Sequence, residues 1–478
     1  MIIKETGPFD PVQVFELLRE RPFSFFLDSG MNPERLGRYS FLGSDPFLVF
    51  RSKGDRVAIW EGGAWRERRA NPFPVLKELL RRCQVPSSAP VPVAAGAFGY
   101  FAYDLGWQLE KLPNWAEDDL GLPDCYLGFY DRLVVIDHLE GKAYLTSTGL
   151  PESGENAPAR ARRRLEELEA LVSQSFARLP AREQEEPFLP GNASKITGHF
   201  TRETYRRAVQ RAKDYIAAGD IFQVNLSQRF SCPLAGSPWS LYCRLRRINP
   251  APFSAYLNYP EAVVASASPE RFLQVRNGVV ETRPIKGTRR RGRTPAEDRR
   301  LRTELLNSEK DRAELVMIVD LERNDLGRVC SFGSVHVPEL ICLEEYATVF
   351  HLVSTVRGTL APGRDLVDLL MATCPGGSIT GAPKIRAMEI IEELEPVKRG
   401  IYTGSLGYLG FDGSADLNIV IRTFIIKDGT AYFQVGGGIV ADSDPDAEYW
   451  ETIYKARALL RALGYEEGVV EECLALPG

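Results

Sequence analysis

Val420-Ile421-Arg422-Thr423-Phe424-Ile425-Ile426-Lys427-Asp428-Gly429-Thr430-Ala431-Tyr432-Phe433-Gln434-Val435 contains two apolar, β-branched and aromatic runs joined at Asp428-Gly429. Asp-Gly between such runs is a strong hairpin signal, because both residues tolerate the positive φ that a tight two-residue turn needs. The stretch predicts strands over 420–427 and 431–435, paired antiparallel. Working outward, further strand patterns fall at 262–267, 272–275, 279–284 and 402–411, and in the first third at 47–51, 57–60, 133–138 and 143–146. Helical patterns fall at 203–218, 296–321, 383–394 and 445–462. Strands arrive in runs and not in β-α-β alternation. The fold class is therefore α+β with antiparallel sheet, and a Rossmann-like α/β fold is excluded.

A turn-rich, charged interval interrupts the pattern at 151–198. It opens with Pro151-Glu152-Ser153-Gly154, continues as a helix with leucines at 165, 168 and 171, and ends in the polar Arg182-Glu183-Gln184-Glu185-Glu186 run. The chain is divided accordingly into an N-terminal region (1–150), a helix and linker (151–198) and a C-terminal catalytic region (199–467).

The bulk numbers narrow the function. The chain has 478 residues, 44% hydrophobic and 26% charged, with a net charge of −5. That is ordinary globular composition, and it argues against a general nucleic-acid binder. The eight cysteines show no C-x-x-C pair, so reduced thiols are expected and structural zinc is not. The first residues lack a signal-peptide core and no apolar run is long enough to span a membrane, so no membrane association and a cytoplasmic location are expected.

Three features carry chemistry. Arg283-Pro284-Ile285-Lys286-Gly287-Thr288 places a lysine at a strand end before a glycine bend, followed by Arg289, Arg290, Arg291 and Arg293. A positive surrounding would disfavour the ammonium and free the amine as a nucleophile. The alternative is a surface lysine in a basic loop. Second, Asp311 and Glu314 share one helix face, as do Glu448, Glu451 and Lys455 on another, whose start is marked by Asp444-Pro445. Four carboxylates on two helix faces suit a hard cation such as Mg²⁺, although solvated helix faces would look the same. Third, Cys374-Pro375-Gly376-Gly377-Ser378-Ile379-Thr380-Gly381 runs into a helix and suits an anion, while Gly436-Gly437-Gly438 reads as a second glycine-rich loop. Neither has P-loop or dinucleotide spacing. His351 stands in an apolar run, where a satisfied core histidine is the ordinary reading.

Taken in order, Ser268–Phe272, Pro284–Thr288, Asp320–Leu326, Gly377–Lys384, Arg399–Tyr402, Gly436–Val440 and Glu448–Lys455 resemble the chorismate-utilising enzymes. More narrowly, they resemble the large subunits of anthranilate synthase and aminodeoxychorismate synthase. The resemblance is strong over about residues 200–465, and Leu27–Ser29, Gly37–Ser40 and Gly96–Phe101 extend it to the N-terminal region.

The resemblance implies an antiparallel β-sandwich flanked by helices, with the active site in a cleft between the ends of the sheets. It implies Mg²⁺ held by Glu314 and Glu451, with Asp311 and Glu448 beside them. It implies substrate binding by Ser378, Thr380, Tyr402, Arg422, Gly438 and Lys455, and catalysis by Lys286, Glu270 as general acid and His351. Gln223 stands where water-adding relatives place a lysine, which points to ammonia as the nucleophile. Lysine at 286, where anthranilate synthases carry alanine, points to the aminodeoxychorismate branch: 4-amination of chorismate for 4-aminobenzoate and folate synthesis. No glutaminase elbow is present, so the ammonia implies a separate glutamine amidotransferase subunit. Ser29, Arg38, Tyr39, Ser40, Pro252, Phe253 and Ser254 correspond to the family's tryptophan pocket, whose occupancy the resemblance leaves open. The competing readings are anthranilate synthase component I and a catalytically silent tryptophan-binding subunit.

Overall fold

The computed structural model describes residues 1–87, 90–177, 196–346 and 349–465. The Arg182–Glu186 run and Cys473 lie outside them. Two large sheets, antiparallel throughout, face each other. The 420–435 stretch does form a hairpin, with strands Thr423–Lys427 and Thr430–Ile439 paired through Lys427 and Thr430. The first strand starts three residues later than expected because Arg422 has φ +51°, which breaks the extended run. Likewise the strand expected from 402 begins at Ser405, after Thr403 at φ +58°.

The interval at 151–198 does not separate two cores. In one sheet, N-terminal strand Ser24–Asp28 pairs with Phe253–Asn258; in the other, Gly96–Phe101 pairs with Ser405–Gly410. Strands from both regions thus complete both sheets. Between the sheets lies an aromatic layer in which Phe25 stacks on Phe98 at 4.3 Å and Phe41 meets Tyr408 edge-on at 5.3 Å. Alternation supplies this layer: every second residue of a strand points inward. Helices Arg202–Ala217, Pro238–Ile248, Lys384–Leu394 and Pro445–Ala462 lie against the first sheet, and Pro295–Leu306 and Glu309–Gly327 against the second.

Two further expectations are corrected. The helix over 296–321 is two helices, divided at Asn307-Ser308, because the Ser308 hydroxyl accepts from the Asp311 amide and caps a new start. Gly436–Gly438 is not a loop. These glycines continue the strand and pair with Ser227, Leu226 and Asn225.

Candidate active site

Toward one edge, the first sheet carries Thr430–Ile439 beside Gln223–Pro233, with the two-residue strand Thr197–Gly198 outside them, and the second carries Val349–Thr359 and Ile285–Arg290. Between these strands opens a cleft of about 850 Å³. Lys286, Glu270, His351, Ser378, Tyr402, Arg422, Gly438, Lys455, Asp311, Glu314 and Glu451 all line it.

Lys286 is the second residue of strand Ile285–Arg290 and pairs with Leu352. Gly287 is inserted as a bulge at φ +72°, and a side chain there would meet Asp311 and Leu305 at 2.9 Å. The bulge re-aims the chain, as such insertions do. The arginines that follow do not surround the lysine with uncompensated charge. Arg289 pairs with Glu304 and Asp311, Arg290 with Glu297 and Arg291 with Asp298. The Lys286 ammonium faces Glu314 at 2.8 Å.

Glu314 sits in the first turns of helix Glu309–Gly327. Burial works to raise its carboxyl, but Lys286, Gln223 and Lys455 outweigh it and hold the group below the ordinary range. Gln223 donates Nε2 to Glu314 Oε1 at 2.6 Å. It stands behind the glutamate and does not line the cleft. Gly438 explains the fit: a Cβ there would lie 2.3 Å from Gln223 Nε2 and 2.8 Å from Glu314 Oε1. On the facing helix, Lys455 pairs with Glu451 at 2.7 Å and holds that carboxyl low. Glu448 is buried, which raises its carboxyl, and accepts from Ser443 at 2.6 Å. Among the described residues no three metal-ligating side chains converge on one point. A Mg²⁺ site would instead use one or two carboxylates plus waters and substrate oxygens. Glu314 and Glu451, each with one oxygen engaged by a lysine, fit that donor set.

Glu270 is buried, and burial raises its carboxyl even though the Ser378 hydroxyl and Lys286 act to lower it. Ser378 Oγ donates to Glu270 Oε1 at 2.7 Å, so this serine orients the acid. Thr380 is not brought to the cleft: its hydroxyl donates to the carbonyls of Gly376 and Gly377. Arg422 is enclosed, which lowers its guanidinium, and donates to Asn249 Oδ1 at 3.3 Å. No carboxylate among the described residues pairs with it, which leaves its charge for an anion. His351 is pushed down to about 3 by burial, with Arg422 adding to the effect. The Thr288 hydroxyl lies 2.8 Å from its Nδ1. A neutral imidazole hydrogen-bonded there props the turn that follows Lys286.

Sequence reasoning missed the polar floor. Asn225 donates to the Ser378 carbonyl at 3.0 Å, and Ser227 donates to Glu395 Oε1 at 2.8 Å. Arg399 grips Glu395 and the carbonyls of Asn225 and Ile379. A usable signal existed: Gln223, Asn225 and Ser227 alternate with Val224 and Leu226.

A second cavity, about 560 Å³, is lined by Ser29, Arg38, Tyr39, Pro252, Phe253 and Ser254. Ser40 lies beneath it, bonded to the Ser29 amide and His138. Arg38 is held by Asp137 at 2.8 Å.

This fold and cleft are those of a chorismate-utilising enzyme: residues 9–461 match the chorismate binding enzyme family, and the chain belongs to it. The chain is 44% identical to anthranilate synthase component 1 of Thermus thermophilus, covering 96% of both chains. It is 41% identical to aminodeoxychorismate synthase component 1 of Bacillus subtilis, covering 95% of both. Among solved structures, anthranilate synthase component I from Streptococcus pneumoniae superposes with a TM-score of 0.78 at 34% identity, over 89% of this chain and 92% of that one. Among the described residues no helix is long and apolar enough to cross a membrane.

Proposed function

We propose that this chain is the chorismate-transforming component of an aminodeoxychorismate synthase, acting in the cytoplasm with ammonia from a glutamine amidotransferase partner. The observation that carries the reading is Lys286, beside Glu314 in the cleft that the buried Glu270 also lines. In the proposed reaction Lys286 first gives a proton to solvent, its neutral Nζ bonds to chorismate C2, the electron pairs shift, and the C4–O bond breaks. Glu270 gives its proton to the departing hydroxyl, which leaves as water. Ammonia then bonds to C4, the electrons return and the C2–N bond breaks, releasing Lys286. The new C4 ammonium returns a proton to Glu270. Net, chorismate and ammonia give 4-amino-4-deoxychorismate and water.

Arg422 and Tyr402 would bind the substrate carboxylates, and Ser378 would aim the acid. Glu314 and Glu451, with Asp311 and Glu448 beside them, would hold Mg²⁺. When bound, the cation supplies positive charge against the substrate's carboxylate and departing oxygen. The second cavity would take tryptophan.

The names of the similar proteins favour a second reading, anthranilate synthase component I, since most of those most similar to the chain carry that name. Identities of 41% and 44% to the two kinds do not separate them. The test incubates purified protein with chorismate, Mg²⁺ and ammonium and identifies the product by chromatography and mass. Aminodeoxychorismate is expected; fluorescent anthranilate in its place would overturn the assignment.

A further inference from the structure

We propose that Lys286 and Lys455 serve as built-in counter-cations of Glu314 and Glu451, two of the carboxylates lining the cleft, and that a divalent cation binds there by driving both ammonium groups away. The inference rests on the reading of Glu314 and Glu451 as metal ligands. Each of these glutamates carries one lysine, at 2.8 and 2.7 Å. Each lysine contacts Oε1 of its glutamate, and an ionised carboxylate has two oxygens with which to take a cation. An ammonium and a dication on one carboxylate repel strongly at such range in a partly enclosed cleft. The double charge wins the carboxylate, and the lysine must swing off.

The two lysines differ in what they have left. Lys455 also donates to the Gly436 carbonyl at 2.8 Å and keeps that anchor when it loses Glu451. Lys286 has Glu314 as its single ion-pair or hydrogen-bond partner among the described residues. Once displaced, it has only the cleft to enter. Gln223 stays on Glu314 and fixes the carboxylate while its cation is exchanged. Cation binding and release of the Lys286 amine are thus one event. The resting protein suppresses both, because the competitor lowers the apparent affinity for the metal.

The test is a Mn²⁺ titration of the full chain followed by electron paramagnetic resonance, without chorismate. Lys286→Met and Lys455→Met are each expected to bind Mn²⁺ at least tenfold more tightly than the wild type, and Glu314→Gln to lose the site. Equal or weaker binding by both methionine variants, with the wild type binding normally, overturns the exchange while leaving the metal reading intact. Absence of saturable binding in wild type and variants alike overturns the metal reading and the exchange with it. Acylation of Lys286, followed by peptide mass analysis, should quicken on adding Mn²⁺; an unchanged rate overturns its release.

Discussion

In the proposed reaction Glu270 is the general acid, and its surroundings suit that task. Its carboxyl is raised by burial, so its acid form persists to higher pH than that of a solvated glutamate. Activity that depends on this acid is retained below the raised pKa and falls as pH climbs through it. Glu270→Gln should lower kcat by about 10²–10⁴-fold and remove that alkaline limb from the pH profile, measured by steady-state assay. His351 makes the opposite case. Its ring is held neutral and braces Thr288, so kcat should show no limb from an imidazole titrating in the ordinary range. A pH profile of wild type against His351→Gln checks this, because the two should differ in height and not in shape.

At the scale of elements, the site depends on where strands and helices are interrupted. The strand Thr430–Ile439 passes so close to Gln223 and Glu314 that Gly438→Ala must push both away. At least a tenfold loss of activity is expected with the fold retained, read by assay alongside circular dichroism. Helix Glu309–Gly327 carries a carboxyl with a different consequence. Glu322 accepts from Thr282 at 2.9 Å, and its burial pushes it up to about 8 from an ordinary 4.5. A raised carboxyl is neutral in the folded protein. The stability it allows is therefore complete below about 4.5 and is lost progressively as pH rises to about 8. Glu322→Gln should flatten the fall in Tm between pH 6 and 8; an unchanged slope would refute the assignment. These devices were partly legible. Asp444-Pro445 announced a helix start, and that helix begins at Pro445. The residues from Ser308 to Glu314 also read as a helix opening, yet the helical pattern at 296–321 runs on across Ser308, and the cap hydrogen bond is what divides it.

Across the whole molecule, the two sheets are woven from both regions of the chain. Residues 1–177 alone would leave strands Ser24–Asp28 and Gly96–Phe101 without their C-terminal partners, and Phe41 and Phe98 without Tyr408 against them. Expressed alone, this fragment should show no cooperative thermal transition, and co-expression with 196–478 should restore one, measured by calorimetry. The interleaving also explains why the second cavity and the active cleft sit in one body. Strands Phe253–Asn258 and Val263–Ser268 belong to the same continuous sheet as Gln223–Pro233.

The antiparallel character, the hairpin at Asp428-Gly429, the ordered motifs and the residue types of the cleft could all be read along the chain. They depend on local periodicity, turn chemistry and side-chain identity, which need no distant neighbour. Folding in three dimensions settled that Lys286 faces Glu314 and not a field of arginines, and that Thr380 turns away. It also put Gln223 behind a carboxylate and made Gly436–Gly438 strand and not loop. Each of those outcomes is set by a neighbour far away in sequence. A side chain's direction follows from the bulge, cap or close approach that its distant partners impose.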